Sequence, residues 1–162
     1  LSLHDALPIS FPMAEIAAIA NDALLHRGAA MLQYGFTEGF PPLREAVKAY
    51  LKKKHGFPHE DDELIIVSGG QQAADLTAMV LLNEGDVVLC EELSFVGVLN
   101  TLRAYGAKLV GVRMEPDGMN IEDLEAKIKA NPRAKLIYVI PNFQNPSSYI
   151  LLVKIFFPYH NQ

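Results

Sequence analysis

Tryptophan is absent, cysteine occurs once, and no apolar run in the 162 residues approaches the length of a membrane span. The single cysteine, Cys90, excludes an intrachain disulfide and points to a reducing, intracellular setting. Its position inside the apolar run DVVLCE predicts a small buried hydrophobe. A membrane helix needs about 18 or more consecutive apolar residues; the best candidate, near the C-terminus, is interrupted by Lys154 and Pro158, so a membrane is not expected as a partner. Positive charge is not in excess either. With 14 Lys and Arg against 19 Asp and Glu the net charge is -5, which leaves no basic stripe for a phosphate backbone, and nucleic acid is not expected to bind. The N-terminus has neither the cationic start and cleavage site of a secretory signal nor the Arg-rich pattern of a transit peptide. Cytoplasm is the expected location.

What is present is half apolar sequence, enough for the core of one domain. From Pro12 the spacing of Ile16, Ile19, Ala20, Ala23 and Leu24 predicts a helix stopped at Gly28. After the glycine- and proline-rich loop MLQYGFTEGFPP, the segment LREAVKAYLKKKHG predicts a second helix ending at Gly56, with Lys52 to Lys54 as a solvated last turn. Beyond His59 to Glu63 the pattern changes. LIIVS (64–68), DVVLCE (86–91), KLVGVR (108–113) and KLIYVI (135–140) read as strands, and helical segments fall at about 71–83, 95–105 and 121–130 in between, the last capped by Asn120. That alternation predicts an α/β fold, a partial three-layer sheet of mostly parallel strands with crossover helices. The near-continuous apolar strands predict that both sheet faces are covered.

Ligands of such sheets sit at the carboxyl ends of strands, and VSGGQQAADLTAMVLL places Gly69, Gly70, Gln71 and Gln72 at one of them. Glycines there let a ligand approach the backbone, and the free N–H groups of the next helix suit an anion such as phosphate. Without further context the junction reads first as a plain glycine turn, and phosphate binding is the weaker reading. It is neither a G-x-G-x-x-G fingerprint nor a P-loop. His55 and His59 have the spacing of helical metal ligands, but Gly56 and Pro58 between them oppose a helix, so no metal site is expected. Glu91 and Glu92 are adjacent and read as polar residues at a strand end; Asn145-Pro146 by itself reads as a turn.

Four segments in one order, LQYGFTEGFPPLREAV, IIVSGGQQAADL, EGDVVLCEELSF and YVIPNFQNPS, resemble the fold-type I pyridoxal phosphate enzymes. The likeness is to the class I/II aminotransferases close to aminoadipate and kynurenine aminotransferases, and covers about residues 12–148. It implies pyridoxal 5′-phosphate as cofactor, an amino acid and a 2-oxo acid as substrates, and a homodimer with shared sites. The phosphate-binding pair of the family falls on Gly70 and Gln71, where Gly70 replaces the common serine and keeps the backbone donor. The ring-stacking aromatic falls on Phe95, with Leu93 where proline is usual. The asparagine that donates to the cofactor's phenolic oxygen falls on Asn145, the tyrosine that reaches the partner subunit's phosphate on Tyr34, and a glycine near the substrate on Gly39.

The family also uses a Schiff-base lysine, an aspartate on the pyridine nitrogen and an arginine for the substrate carboxylate, all in segments later than Asn145. No segment of this chain matches them, and Lys154 in YILLVKIFF is not in a context to substitute. The resemblance therefore implies the truncated large domain of an aminotransferase, inactive as this chain and poorly soluble or partly folded alone. The expected organisation is a non-native leader at 1–11, an N-terminal helical segment at 12–60, a partial cofactor-binding large domain at 61–148 and an aberrant tail at 149–162. An effector-binding domain of a bacterial transcriptional regulator is the alternative, because aminotransferase-like domains also serve there.

Overall fold

The computed structural model describes residues 11–59, 61–148 and 150. The leader expected at 1–11 and the tail expected at 149–162, Lys154 included, lie outside the described residues except for Phe11 and Ile150. The chain divides into two compact units between Ile66 and Val67. Among the described residues no helix is long and apolar enough to cross a membrane.

The first unit holds helices α1 (Met13–Met31) and α2 (Pro41–His55). Helix α1 does not stop at Gly28 but runs three residues further, to Met31. A glycine inside a helix costs only about 1 kcal/mol relative to alanine, and the good helix formers Ala29, Ala30 and Met31 follow it. The apolar stripe of α1 lies open to solvent at Ile16, Ile19 and Leu24. Helix α2 starts on two prolines, whose missing N–H groups cost nothing in the first turn, and ends as expected at Gly56, which takes the left-handed conformation.

Leu64–Ser68 is not a strand, contrary to the β-branched pattern. Extended backbone becomes a strand only through a ladder with a neighbour, and here side-chain contacts and one isolated backbone bond take its place. Arg44 Nε donates to the Leu64 carbonyl at 2.6 Å, Arg44 and Lys48 both reach the Glu63 carboxylate, and Ile66 N–H donates to the Glu38 carbonyl at 2.9 Å.

The second unit is built on a parallel three-stranded sheet, β1 (Val87–Glu91), β2 (Lys108–Val112) and β5 (Ala134–Tyr138), in the order β2-β1-β5. Between β2 and the last helix lies a short antiparallel hairpin, β3 (Met114–Glu115) and β4 (Gly118–Met119), which the periodicity did not predict. Helices α3 (Gly70–Leu81), α4 (Val96–Ala104) and α5 (Ile121–Ala130) complete the unit. Asn120 caps α5 as expected, its side-chain oxygen accepting from Asp123 N–H at 2.8 Å.

Alternation along the central strand sorts the core into two layers. Val88 packs with Ala78 and Leu82 of and after α3 and with Val98 and Leu102 of α4. Val87 and Leu89 point the other way, into a cluster with Val112, Met119 and Leu124 of α5. The observed architecture is therefore helices on both sides of a parallel sheet. Strand β5 departs from the expected two-sided coverage: its residues alternate between half-buried and exposed, and Ile137 remains 49% exposed.

One ion cluster fixes the entry to the sheet. Asp86, immediately before β1, is buried at the side chain and binds Lys135 Nζ at 2.7 Å and Arg133 at 2.9 Å, while its carboxylate also accepts Asn83 N–H. The Lys135 ammonium, that N–H and the Arg133 guanidinium hold the Asp86 carboxyl well below the ordinary aspartate range. Lys135 can reach it because the β1–β5 register passes over this residue, Val87 facing Ala134 and Val88 facing Leu136.

Candidate active-site cleft

Helix α3 begins where Gly69 takes φ +86° and turns the chain out of the preceding extended segment. Only a glycine adopts that angle without strain. The first intrahelical backbone bond is from Ala73 N–H to the Gly69 carbonyl, so the N–H groups of Gly70, Gln71 and Gln72 have no acceptor within the helix. A Cβ built on Gly70 would meet nothing within 4 Å, which leaves the mouth of the helix open in front of those donors.

The two amide side chains do different work. Gln72 Oε1 accepts Ser68 N–H at 2.6 Å and closes the turn behind the glycines. Gln71 reaches forward to α4, where its Nε2 donates to the Gly97 carbonyl at 3.3 Å and to Thr101 Oγ1. With its amide hydrogens committed to α4, Gln71 offers an anion its backbone N–H, not its side chain.

Phe95 is the residue before α4 and has the extended backbone of an N-cap. Its ring folds back over Gly97: a Cβ at that position would lie 2.6 Å from Phe95 Cε1 and 3.1 Å from Gln71 Oε1. Gly97 is thus what allows the ring and the amide to converge, a role that sequence reasoning missed. The available signal was a glycine in the first turn of a helix that has no need of one.

Gly70, Gln71 and Phe95 line a single cleft of about 590 Å³. Its apolar wall comes from Val98 and Leu102 of α4 and from the sheet, through Val88, Leu136 and Tyr138. Among the described residues no lysine or other charged side chain lines it. Burial, reinforced by the nearby Glu91 carboxylate and Cys90, raises the Tyr138 phenol above its usual range. Cys90 itself is buried, as its apolar run predicts, and burial pushes its thiol up, with Glu91 adding to the shift and Arg103 opposing it.

Asn145 is brought near by connection instead of by lining the cleft. It is exposed, but the preceding residue, Gln144, is buried and donates to the Leu93 carbonyl, two residues before Phe95. Tyr34 and Gly39 belong to the first unit. Tyr34 is fully exposed in the loop between α1 and α2. Gly39 has φ +105°, and a Cβ there would fall 2.7 Å from Ile66 Cβ, so close packing against Ile66 accounts for the glycine.

Glu91 is a polar residue at a strand end, as the sequence suggests, but what the sequence did not reveal is that its carboxylate is only 1% exposed, whereas Glu92 beside it is open to solvent. Adjacent strand residues do point to opposite faces, yet which face is covered at the end of a strand depends on loops far away in sequence.

Comparison with known proteins gives the family of the chain, independently of these residues. The family model for aminotransferase class I and II matches residues 9–151. Aromatic-amino-acid aminotransferase 1 of Thermococcus litoralis is 34% identical over 91% of this chain and 37% of its own. A probable rhizopine catabolism regulatory protein, MocR of Rhizobium meliloti, is 32% identical over 90% of this chain and 29% of its own. Among solved structures, Pyrococcus horikoshii kynurenine aminotransferase, in complex with PMP, superposes with a TM-score of 0.82 at 34% identity, covering 87% of this chain and 36% of that one. The α-aminoadipate aminotransferase LysN of Thermus thermophilus, complexed with N-(5′-phosphopyridoxyl)-L-leucine, gives a TM-score of 0.76 at 32% identity, over 89% and 35%. This chain thus spans little more than a third of the length of the aminotransferases it matches. Both the order of its elements and the match across most of its length place the chain in the class I and II aminotransferase family.

Proposed function

We propose that this chain supplies the phosphate seat and ring-stacking wall for pyridoxal 5′-phosphate in an aminotransferase that moves an amino group between an amino acid and a 2-oxo acid. The observation that carries this reading is the convergence of Gly70, Gln71 and Phe95 on one cleft. The residues present fit the group. Three backbone N–H groups at a helix start suit a phosphoester, because they donate directly and the helix dipole favours the anion. Gly70 leaves room for it, and the open ring face of Phe95 suits a pyridine.

When bound, the cofactor supplies an electron sink for the bonds around the substrate Cα. The roles left to this chain are positional. The start of α3 would anchor the phosphate end, Phe95 would hold the ring plane, and the apolar floor of Val88, Val98 and Leu102 would keep water from the face beneath. Asn145, which stands outside the lining of the cleft, would donate to the ring oxygen. Since no lysine among the described residues lines the cleft, these residues would hold the cofactor without a covalent bond. The working form is a cytoplasmic homodimer. Its support is the fully exposed Tyr34, a residue type suited to completing a neighbouring subunit's phosphate site, and a free buried thiol at Cys90.

The test is a titration of the 162-residue chain with pyridoxal 5′-phosphate, pyridoxal and inorganic phosphate. Saturable binding of the phosphoester is expected, with competition by inorganic phosphate. Pyridoxal should bind about tenfold or more weakly, since it lacks hydrogen bonds to a charged group. Equal affinity for pyridoxal, or no saturation, would remove the proposal. A second reading, an effector-binding domain of a transcriptional regulator, is supported by the match to MocR. Coding sequence for a winged helix upstream of Leu1 would decide for it.

A further inference from the structure

Glu91 and Gln144 are 1% and 2% exposed and meet at 2.9 Å, Gln144 Nε2 donating to Glu91 Oε2. A buried carboxylate is costly unless every oxygen is hydrogen-bonded, and here the requirement is met by groups from three different segments. Glu91 Oε1 accepts Ile140 N–H at 2.9 Å, just beyond β5, and Oε2 also accepts Ser94 Oγ at 3.1 Å. Gln144 extends the network. Its Nε2 donates to the Leu93 carbonyl at 2.5 Å, and its Oε1 accepts both Ser147 N–H at 2.9 Å and Ser147 Oγ at 2.5 Å. Among the described residues no buried side-chain polar atom is left unpaired.

The segments joined in this way have a common feature. Ser94 is followed by Phe95, and Gln144 is followed by Asn145. We propose that Glu91 and Gln144 form a clamp that fixes the Phe95 and Asn145 loops relative to one another, and are positioning residues for the cofactor ring. The inference rests on the reading of the cleft as a pyridoxal phosphate site. A carboxylate is required at position 91 because all its partners are donors. Glutamine at that position would turn an NH2 group against Ile140 N–H or against the Gln144 amide. Gln144→Glu breaks the pair from its other side, because a carboxylate there would set an oxygen against both the Glu91 carboxylate and the Leu93 carbonyl, which now accept from Gln144 Nε2.

The experiment compares the 162-residue chain with its Glu91→Gln and Gln144→Glu variants, by NMR without ligand and by titration with pyridoxal 5′-phosphate and with inorganic phosphate. In Glu91→Gln the Phe95 ring and Asn145 amide resonances are expected to move together. Affinity for pyridoxal 5′-phosphate should fall about tenfold while that for inorganic phosphate, which reads only the start of α3, changes less than about twofold. Gln144→Glu should give the same pattern, both loops moving and the two ligands separating in the same way. Equal weakening of both ligands in step with a lower urea midpoint would reduce the pair to a structural role and overturn the proposal. So would movement of one loop without the other in either variant. If the unsubstituted chain binds no pyridoxal 5′-phosphate, the function proposed above falls, and the clamp is then judged on whether the two loops move together.

Discussion

Replacing Gly70 by aspartate separates the anion seat from the stability of the fold. The new side chain has space, since nothing lies within 4 Å of the Cβ position, and the residue is not among those with positive φ. A carboxylate in the first turn of α3 interacts favourably with the helix dipole by about 0.3 to 1 kcal/mol, and loss of the glycine's freedom adds about 0.5 to 1 kcal/mol. The fold should therefore be slightly more stable. The same carboxylate stands where the phosphate is proposed to sit. Two unit charges about 4 Å apart repel by about 1 kcal/mol in water and about 4 kcal/mol near a protein surface, and a phosphomonoester carries a charge of about -1.5 to -2. Because Gly70 is exposed, the lower end applies, about 2 kcal/mol, or a loss of affinity of roughly 30-fold. Equilibrium titration with pyridoxal 5′-phosphate at low and at high salt measures it, and the loss should shrink as salt screens the repulsion. Binding unchanged within about twofold, or a fall in the urea midpoint, would refute the placement of the phosphate at the start of α3.

Gly97→Ala should push the Phe95 ring out of place, because the added methyl would lie 2.6 Å from its Cε1; ligand affinity falls while the helix gains up to about 1 kcal/mol, measured by titration alongside urea unfolding. Asp86→Asn tests the ion cluster through pH. Its folded carboxyl is held below the unfolded value of about 3.9, so its stabilisation is present above that pH and is lost as the pH falls through the folded value. The variant should unfold at lower urea than the original chain at pH 7, with the gap narrowing on acidification below about pH 4; a gap independent of pH would exclude the ionised carboxylate as the cause. Borohydride reduction of the chain with bound pyridoxal 5′-phosphate, followed by peptide mass spectrometry, should label no single lysine stoichiometrically, since none of the described lysines lines the cleft.

The sequence by itself determined the parts that depend on neighbours a few residues away. The alternation of β-branched and helical runs after Glu63 marked the three parallel strands and their crossover helices to within a few residues, and Asn120 and Gly56 announced helix ends through local hydrogen bonding and backbone freedom. The glycine pair before α3 and the aromatic before α4 were likewise visible as residues suited to an anion and a flat ring. Tertiary structure decided what depends on groups far apart in the chain. The run at 64–68 has strand composition but no ladder, because pairing requires a second segment whose position no local pattern specifies. Glu91 and Glu92 are chemically alike, and only the return of residues 140–147 over the end of β1 buries one and leaves the other in water. Hydrogen-bond donors from Ile140, Ser94 and Gln144 make that burial tolerable, and their convergence is a property of packing, not of spacing along the sequence.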